Sequence, residues 1–324
     1  MKNFFALSLF IFLFSCGGSP TEVARWESTA ERVTIIRDDF GVPHIYGKTD
    51  ADAVFGMLYA QCEDDFPRVE RNYYWALGRL AEAEGEQALY SDLRARLYMT
   101  IDEAKAMYQT APDWLKELCE AYADGINYYL HTHPEVQPKV LTRFEPWFPL
   151  FFFEGSIGGD IESVSTRGIK AFYGENNATA LAEYVEVDNI DEEPKGSNGF
   201  AISGQHTASG DAMLLINPHT SFYFRGESQV VSEEGLNAYG ATTWGQFFIY
   251  QGFNEYNGWM HTSTRVDFKD DFLETVEERD GKLQYKYGEE WRDLWTSEVT
   301  LKYKDGDQMK ERTFPMYRTH HGPI

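Results

Sequence analysis

The sequence predicts an α+β protein in which a helical first part gives way to a β-rich second part. Before residue 174, apolar residues recur at helical spacing. After Ser197, short apolar runs are separated by Gly, Asn and Asp turns, the pattern of strands. A third observation marks the border. Gly174 to Gly196 holds Asn176-Asn177 and then Glu183, Glu186, Asp188, Asp191, Glu192 and Glu193 with almost no counter-charge. It reads as a solvated, cleavable linker.

The first strand is expected at Val33–Ile36, reached through a short tether from Ser19 to about Ser28. Asp50 to Glu82 carries helical periodicity, with Val54, Leu58, Phe66, Val69, Tyr73 and Leu77 on one face. Asp102–Tyr108 and Trp114–Tyr129 read as further amphipathic helices. Thr100, three residues ahead of Glu103, forms a capping-box signature for the first of them. An aromatic cluster follows at Trp147, Phe148, Phe151, Phe152 and Phe153, a composition suited to a core. Beyond Ser197, strands are expected at Phe200–Ile202, Met213–Ile216, Gln229–Val231, Phe247–Tyr250, Phe272–Val276, Lys282–Tyr287 and Val299–Tyr303. There are no internal repeats.

The chain has 324 residues, enough for two units or one large domain, and 43% hydrophobic content rules out global disorder. Its net charge of -23 argues against nucleic acid or an anionic membrane surface as a partner, because both demand a basic face. At the N-terminus, Lys2 precedes an apolar run from Phe4 to Phe14 that is short for a membrane span. The run ends in Leu13-Phe14-Ser15-Cys16-Gly17, which resembles a bacterial lipobox. That resemblance implies a signal peptide over 1–15, a lipid on Cys16, and an exported protein, periplasmic or anchored at the outer membrane. Stable attachment needs two anchoring signals, since one chain holds only marginally. Cys62 and Cys119 read as two buried thiols.

Chemistry concentrates at Lys195-Gly196-Ser197-Asn198-Gly199-Phe200, followed by Asn217-Pro218-His219. A serine hydroxyl is a weak nucleophile without a base beside it. Cutting the chain between Gly196 and Ser197 would supply that base within the same residue, as an α-amino group titrating near ~7.7–8.0. Taken alone, Gly-Ser-Asn is an ordinary turn.

Other motifs change that balance. They are Val33-Thr34-Ile35-Ile36-Arg37-Asp38 with Phe40-Gly41-Val42-Pro43-His44-Ile45-Tyr46, then Ala60-Gln61-Cys62-Glu63-Asp64 and Gly78-Arg79-Leu80-Ala81-Glu82. Downstream of the junction stand Gly252-Phe253-Asn254, Gly258-Trp259-Met260-His261-Thr262 and Thr319-His320-His321-Gly322-Pro323-Ile324. In this order the set resembles the penicillin acylase family of N-terminal-nucleophile amidohydrolases, which includes acyl-homoserine-lactone and cephalosporin acylases.

The resemblance implies an αββα sandwich, divided here into a tether over 16–32, a helical α-subunit part over 33–173, a spacer over 174–196 and the start of the β-subunit over 197–324. It implies self-cleavage at Gly196–Ser197 and an α/β heterodimer. Ser197 would attack the amide carbonyl of a small N-acyl substrate while its own amine takes the proton through one bridging water. The resemblance also gives His219 a supporting role, the Val266 backbone N–H an oxyanion-donor role, and Phe151–Phe153 a place in the acyl pocket. Catalysis would need no cofactor. One structural calcium is implied, with Glu162 and Asp270 as ligands and Asp271 alongside, although Leu273 stands where a further carboxylate is expected. A second oxyanion donor, an asparagine further along the family pattern, has no counterpart, so the chain reads as truncated and inactive alone. A lipid-anchored binding protein that has lost catalysis is the alternative. His131 with His133, and His320 with His321, lack companions at zinc-site spacing and are set aside.

Overall fold

The computed structural model describes residues 19–152, 164–174, 196–220, 224–262 and 270–324. The stretch expected to be a tether is instead helix α1, Pro20–Ala30. Its start is fixed by Pro20 in the first turn and by a capping box between Ser19 and Glu22. Trp26 anchors it, buried and donating its Nε1–H to Asp124 at 2.7 Å. A buried indole with a satisfied N–H holds a short helix that an unpartnered tether could not form.

Helix α2 spans Asp50–Ala76, capped by Thr49 accepting from the Asp52 N–H. All six apolar positions expected on its face, Val54 to Leu77, are buried. The periodic stretch is nonetheless not one helix. Asp65 leaves helical geometry ahead of Pro67, and its Oδ1 accepts from the Arg68 N–H at 3.1 Å, restarting the helix. Gly78, at φ +62°, ends it. Helices α3 (Leu80–Glu84), α4 (Leu89–Tyr98), α5 (Ile101–Thr110), α6 (Asp113–Thr132) and α7 (Thr166–Gly174) follow. The Thr100–Glu103 capping box is present on α5. Helices α2 and α6 approach closely at Gly125, where a Cβ would lie 2.5 Å from the Phe55 carbonyl oxygen.

Strands β1 (Thr34–Arg37) and β2 (Pro43–Gly47) form a hairpin, and β3 (Ser197–Ile202) and β4 (Met213–Pro218) form another. Then come β5 (Arg225–Ser232), β6 (Asn237–Thr243), β7 (Gln251–Asn254) and β8 (Gly258–Trp259). A six-stranded sheet runs in the order β1-β2-β5-β6-β7-β8. Its β2–β5 pairing is parallel, with His44 opposite Gln229, so strands from both sides of the linker share one sheet.

Strands β9 (Val276–Arg279), β10 (Lys282–Tyr287) and β11 (Glu290–Asp293) make a meander, its first turn at Asp280-Gly281 with both residues at positive φ. Strands β12 (Trp295–Asp305), β13 (Gln308–Thr319) and β14 (Gly322–Pro323) complete the chain. The fold is α+β. Two expected strands differ. Phe247–Tyr250 is irregular chain leading out of a turn held by α2, and β9 begins only at Val276, leaving Leu273 89% exposed.

Helix α2 grips the turn between β6 and β7 with buried and part-buried side chains. Gln61 donates to the Gln246 carbonyl at 2.8 Å and accepts from the Gly245 N–H at 2.7 Å. Asn72 donates to the Trp244 carbonyl and the Tyr73 hydroxyl to the Gly245 carbonyl. Gly245 sits at φ +93°, and a Cβ there would lie 2.6 Å from the Tyr73 ring. The Ala60-Gln61-Cys62 motif is thus a clamp between the two parts.

Candidate active site

The β3–β4 register sets Ser197 opposite Pro218 and Asn198 opposite Asn217. His219, one residue past β4, therefore arrives beside the serine. Its backbone N–H donates to Ser197 Oγ at 3.3 Å, and that hydroxyl donates to the Gly196 carbonyl at 2.7 Å. The His219 ring turns to two amides. Nε2 is 3.2 Å from Asn198 Nδ2 and 3.0 Å from Asn217 Oδ1. One nitrogen cannot accept from Nδ2 and donate to Oδ1 in the same tautomer, so the ring chooses between them as its proton moves.

Gly196 holds φ at +127°, a conformation that favours glycine, immediately before the serine. On the other flank, Thr262 Oγ1 donates to the Ser197 carbonyl at 3.3 Å. Gly199 leaves room for Met260, whose sulfur would lie 2.1 Å from a Cβ at that position. Gln251 extends this support by donating its amide to the His261 carbonyl at 3.0 Å. The site is thus a serine at the mouth of a hairpin, its hydroxyl held between a carbonyl and a backbone N–H. In the continuous chain the Ser197 nitrogen is a peptide amide and offers no base.

The penicillin amidase family profile matches residues 32–324. This chain belongs to the penicillin amidase family. Among its relatives, the acyl-homoserine lactone acylase QuiP of Pseudomonas fluorescens (strain Pf-5) is 24% identical over 91% of this chain and 41% of its own length. The acyl-homoserine lactone acylase PvdQ of Pseudomonas fluorescens (strain Pf0-1) is 27% identical over 90% of this chain and 40% of its own. The chain spans about two fifths of the length of these relatives. A thermostable penicillin G acylase from Alcaligenes faecalis aligns at 20% identity with a TM-score of 0.36, covering 41% of this chain and 75% of that one.

The structure brings together Gly196, Ser197 and His219, and adds Asn198, Asn217 and Thr262, which the family motifs contain but to which no role was given. Their signal in the sequence was an asparagine on each side of the hairpin. Phe151 and Phe152 lie in the helical part: Phe151 is 4% exposed against Trp147, and the partly buried Phe152 packs on the Tyr73 ring at 5.6 Å. Their apolar area is satisfied there by neighbouring aromatics. Val266, Phe153, Glu162, Cys16 and the acidic run lie outside the described residues.

For calcium, an ion that takes six to eight oxygen ligands, the described residues do not assemble a set. Asp270 and Asp271 are exposed, and Leu273 offers no oxygen from its side chain. The cluster of potential ligands found among the described residues is Glu274 with His320 and His321, and it excludes Asp270. Their companion in that cluster, Glu274, lies 46 and 47 residues upstream, outside any zinc-motif spacing. Cys62 and Cys119 are free and buried, and burial pushes the Cys119 thiol up to about 11.

Proposed function

We propose that this chain carries the nucleophile half-site of an N-acyl amide hydrolase that matures by cutting itself at Gly196–Ser197. The observation that carries the reading is Ser197 Oγ, 2.7 Å from the Gly196 carbonyl oxygen and steadied by the His219 N–H. In the maturation step Oγ attacks the Gly196 carbonyl carbon and the C–N bond breaks. The departing nitrogen keeps its hydrogen and gains the hydroxyl proton, leaving an ester. Water then hydrolyses the ester to a Gly196 carboxylate and a free Ser197 amine and hydroxyl. The β2–β5 pairing across the linker favours two pieces that stay together as an α/β heterodimer.

In turnover the neutral amine accepts the Ser197 hydroxyl proton as Oγ attacks the substrate carbonyl. Base and nucleophile share one residue, so their mutual orientation costs little entropy. The amine of the product leaves with that proton, and water releases the acyl group as a carboxylic acid. Val266 N–H is the proposed oxyanion donor, a contribution typically of a few kcal/mol. His219, through Asn198 and Asn217, fixes the hairpin mouth around the serine. The names of the relatives point to acyl-homoserine lactones as the first substrate class, with penicillins second. Export with a lipid on Cys16 belongs to the same reading.

Mass analysis of the purified protein and its Ser197→Ala variant tests this. Two pieces split before Ser197 in the wild type, and one uncut chain in the variant, are expected. Normal cleavage in Ser197→Ala would end the N-terminal-nucleophile reading. Acid release from N-acyl-homoserine lactones, measured beside penicillins, identifies the substrate class.

A further inference from the structure

The imidazoles of His320 and His321 and the carboxylate of Glu274 meet at the turn between β13 and β14. One ligand atom from each lies within 4.8 Å of the others. His321 Nδ1 is 2.8 Å from Glu274 Oε1. The rings are clamped rather than loose. His321 stacks on Phe272 at 3.8 Å with 7° between planes, and meets the His320 ring at 3.8 Å, tilted by 41°. His320 in turn lies over Tyr285 at 5.5 Å and against the edge of Tyr287 at 4.7 Å. Beyond these ring contacts, the His320 side chain makes no hydrogen bond among the described residues.

We propose that Glu274, His320 and His321 form a binding site for a borderline divalent transition-metal ion of the zinc class. Two imidazoles and one carboxylate suit zinc, nickel or copper, whereas calcium demands an all-oxygen shell. Tetrahedral bonds of about 2.0–2.2 Å place ligand atoms roughly 3.4 Å apart. Closing from 4.8 Å takes small side-chain adjustments, and aromatic packing already limits the rotamers. Burial raises the Glu274 carboxyl, but hydrogen bonds from His321 and Thr319 and the nearby imidazoles outweigh it and hold it below its usual range. Asp270 and Asp271 line the same cavity of about 380 Å³ as Glu274 and His321, adding negative potential that favours a cation. Water completes the coordination. The ion would staple the irregular chain before β9 to the end of β13.

Titration of the chelator-stripped protein with zinc, against a chromogenic zinc indicator, tests the assignment. The expected result is one equivalent bound at pH 7.5, at least about 10-fold more weakly in His320→Ala and in Glu274→Gln, with millimolar calcium failing to displace it. His320 is exposed, so its removal spares the fold, and circular dichroism of each variant verifies this. Absence of a zinc equivalent would overturn the proposal. So would an equivalent that both folded variants bind unchanged, or one that calcium displaces.

Discussion

Replacing Gln61 with leucine removes the clamp between α2 and the β6–β7 turn while nearly preserving volume. Gln61 is 4% exposed, and its amide satisfies both the Gly245 N–H and the Gln246 carbonyl. Leucine leaves two backbone groups without partners in a dry environment. Each such group costs about 1–3 kcal/mol, and the added apolar burial returns about 1 kcal/mol, for a net loss of about 1–5 kcal/mol. Tyr73→Phe removes one bond, from its hydroxyl to the Gly245 carbonyl, and should cost about 1–2 kcal/mol. Urea denaturation followed by fluorescence measures both, and Gln61→Leu should be the more damaging. The same change should slow amide hydrolysis, because the clamped turn leads through β7 and β8 to Thr262 and its bond to the Ser197 carbonyl. A Gln61→Leu protein as stable as wild type would refute the view that this clamp joins the two parts.

His219→Ala keeps the backbone N–H on Ser197 Oγ but removes the ring between Asn198 and Asn217. Turnover of an N-acyl substrate by steady-state kinetics should fall about 10–10²-fold, with cleavage at Ser197 retained. Glu22, held at about 2 by the Ser19 backbone N–H and by Arg143, stabilises α1 above the ordinary carboxylate value. That stabilisation is fully present above pH 4.5 and is lost as pH falls toward 2, so Glu22→Gln should loosen α1 by about 1 kcal/mol at pH 7 but hardly at pH 2, read from amide-exchange protection factors. Cys16→Ser should move the protein from the membrane fraction to the soluble one, and a wild type already wholly soluble would refute the lipid anchor.

What could be read from the sequence was what neighbours in sequence decide. The α2 face from Val54 to Leu77 follows from spacing alone, because a helix places such residues side by side whatever lies opposite. The Thr100–Glu103 cap was legible for the same reason. The break at Asp65 was not, because apolar spacing continues across it while Pro67 forces a local change in the backbone. Helix α1 was hidden too. Its stability depends on Trp26 reaching Asp124, 98 positions away, and a polar stretch with one tryptophan gives no sign of that contact.

The candidate nucleophile site and the proposed metal cluster divide along the same line. Ser197 and His219 are 22 residues apart, yet a single hairpin joins them, and pairing Ser197 with Pro218 delivers the histidine to the serine. A Gly-Ser-Asn start and an Asn-Pro-His end, read within the whole motif set, therefore point to a candidate nucleophile that local pairing assembles. Glu274 reaches His320 and His321 only after the β9–β11 meander and the β12–β13 ribbon have folded between them. No spacing rule encodes a closure that depends on two independent sheets. Phe151 and Phe152 carry a different ambiguity. Their run of aromatics matches a pocket in the family pattern, and an aromatic ring is stabilised equally by a ligand or by neighbours such as the Tyr73 and Trp147 rings they meet here. Residue type constrains which chemistry a site can perform, while the route of the chain decides whether the site is assembled.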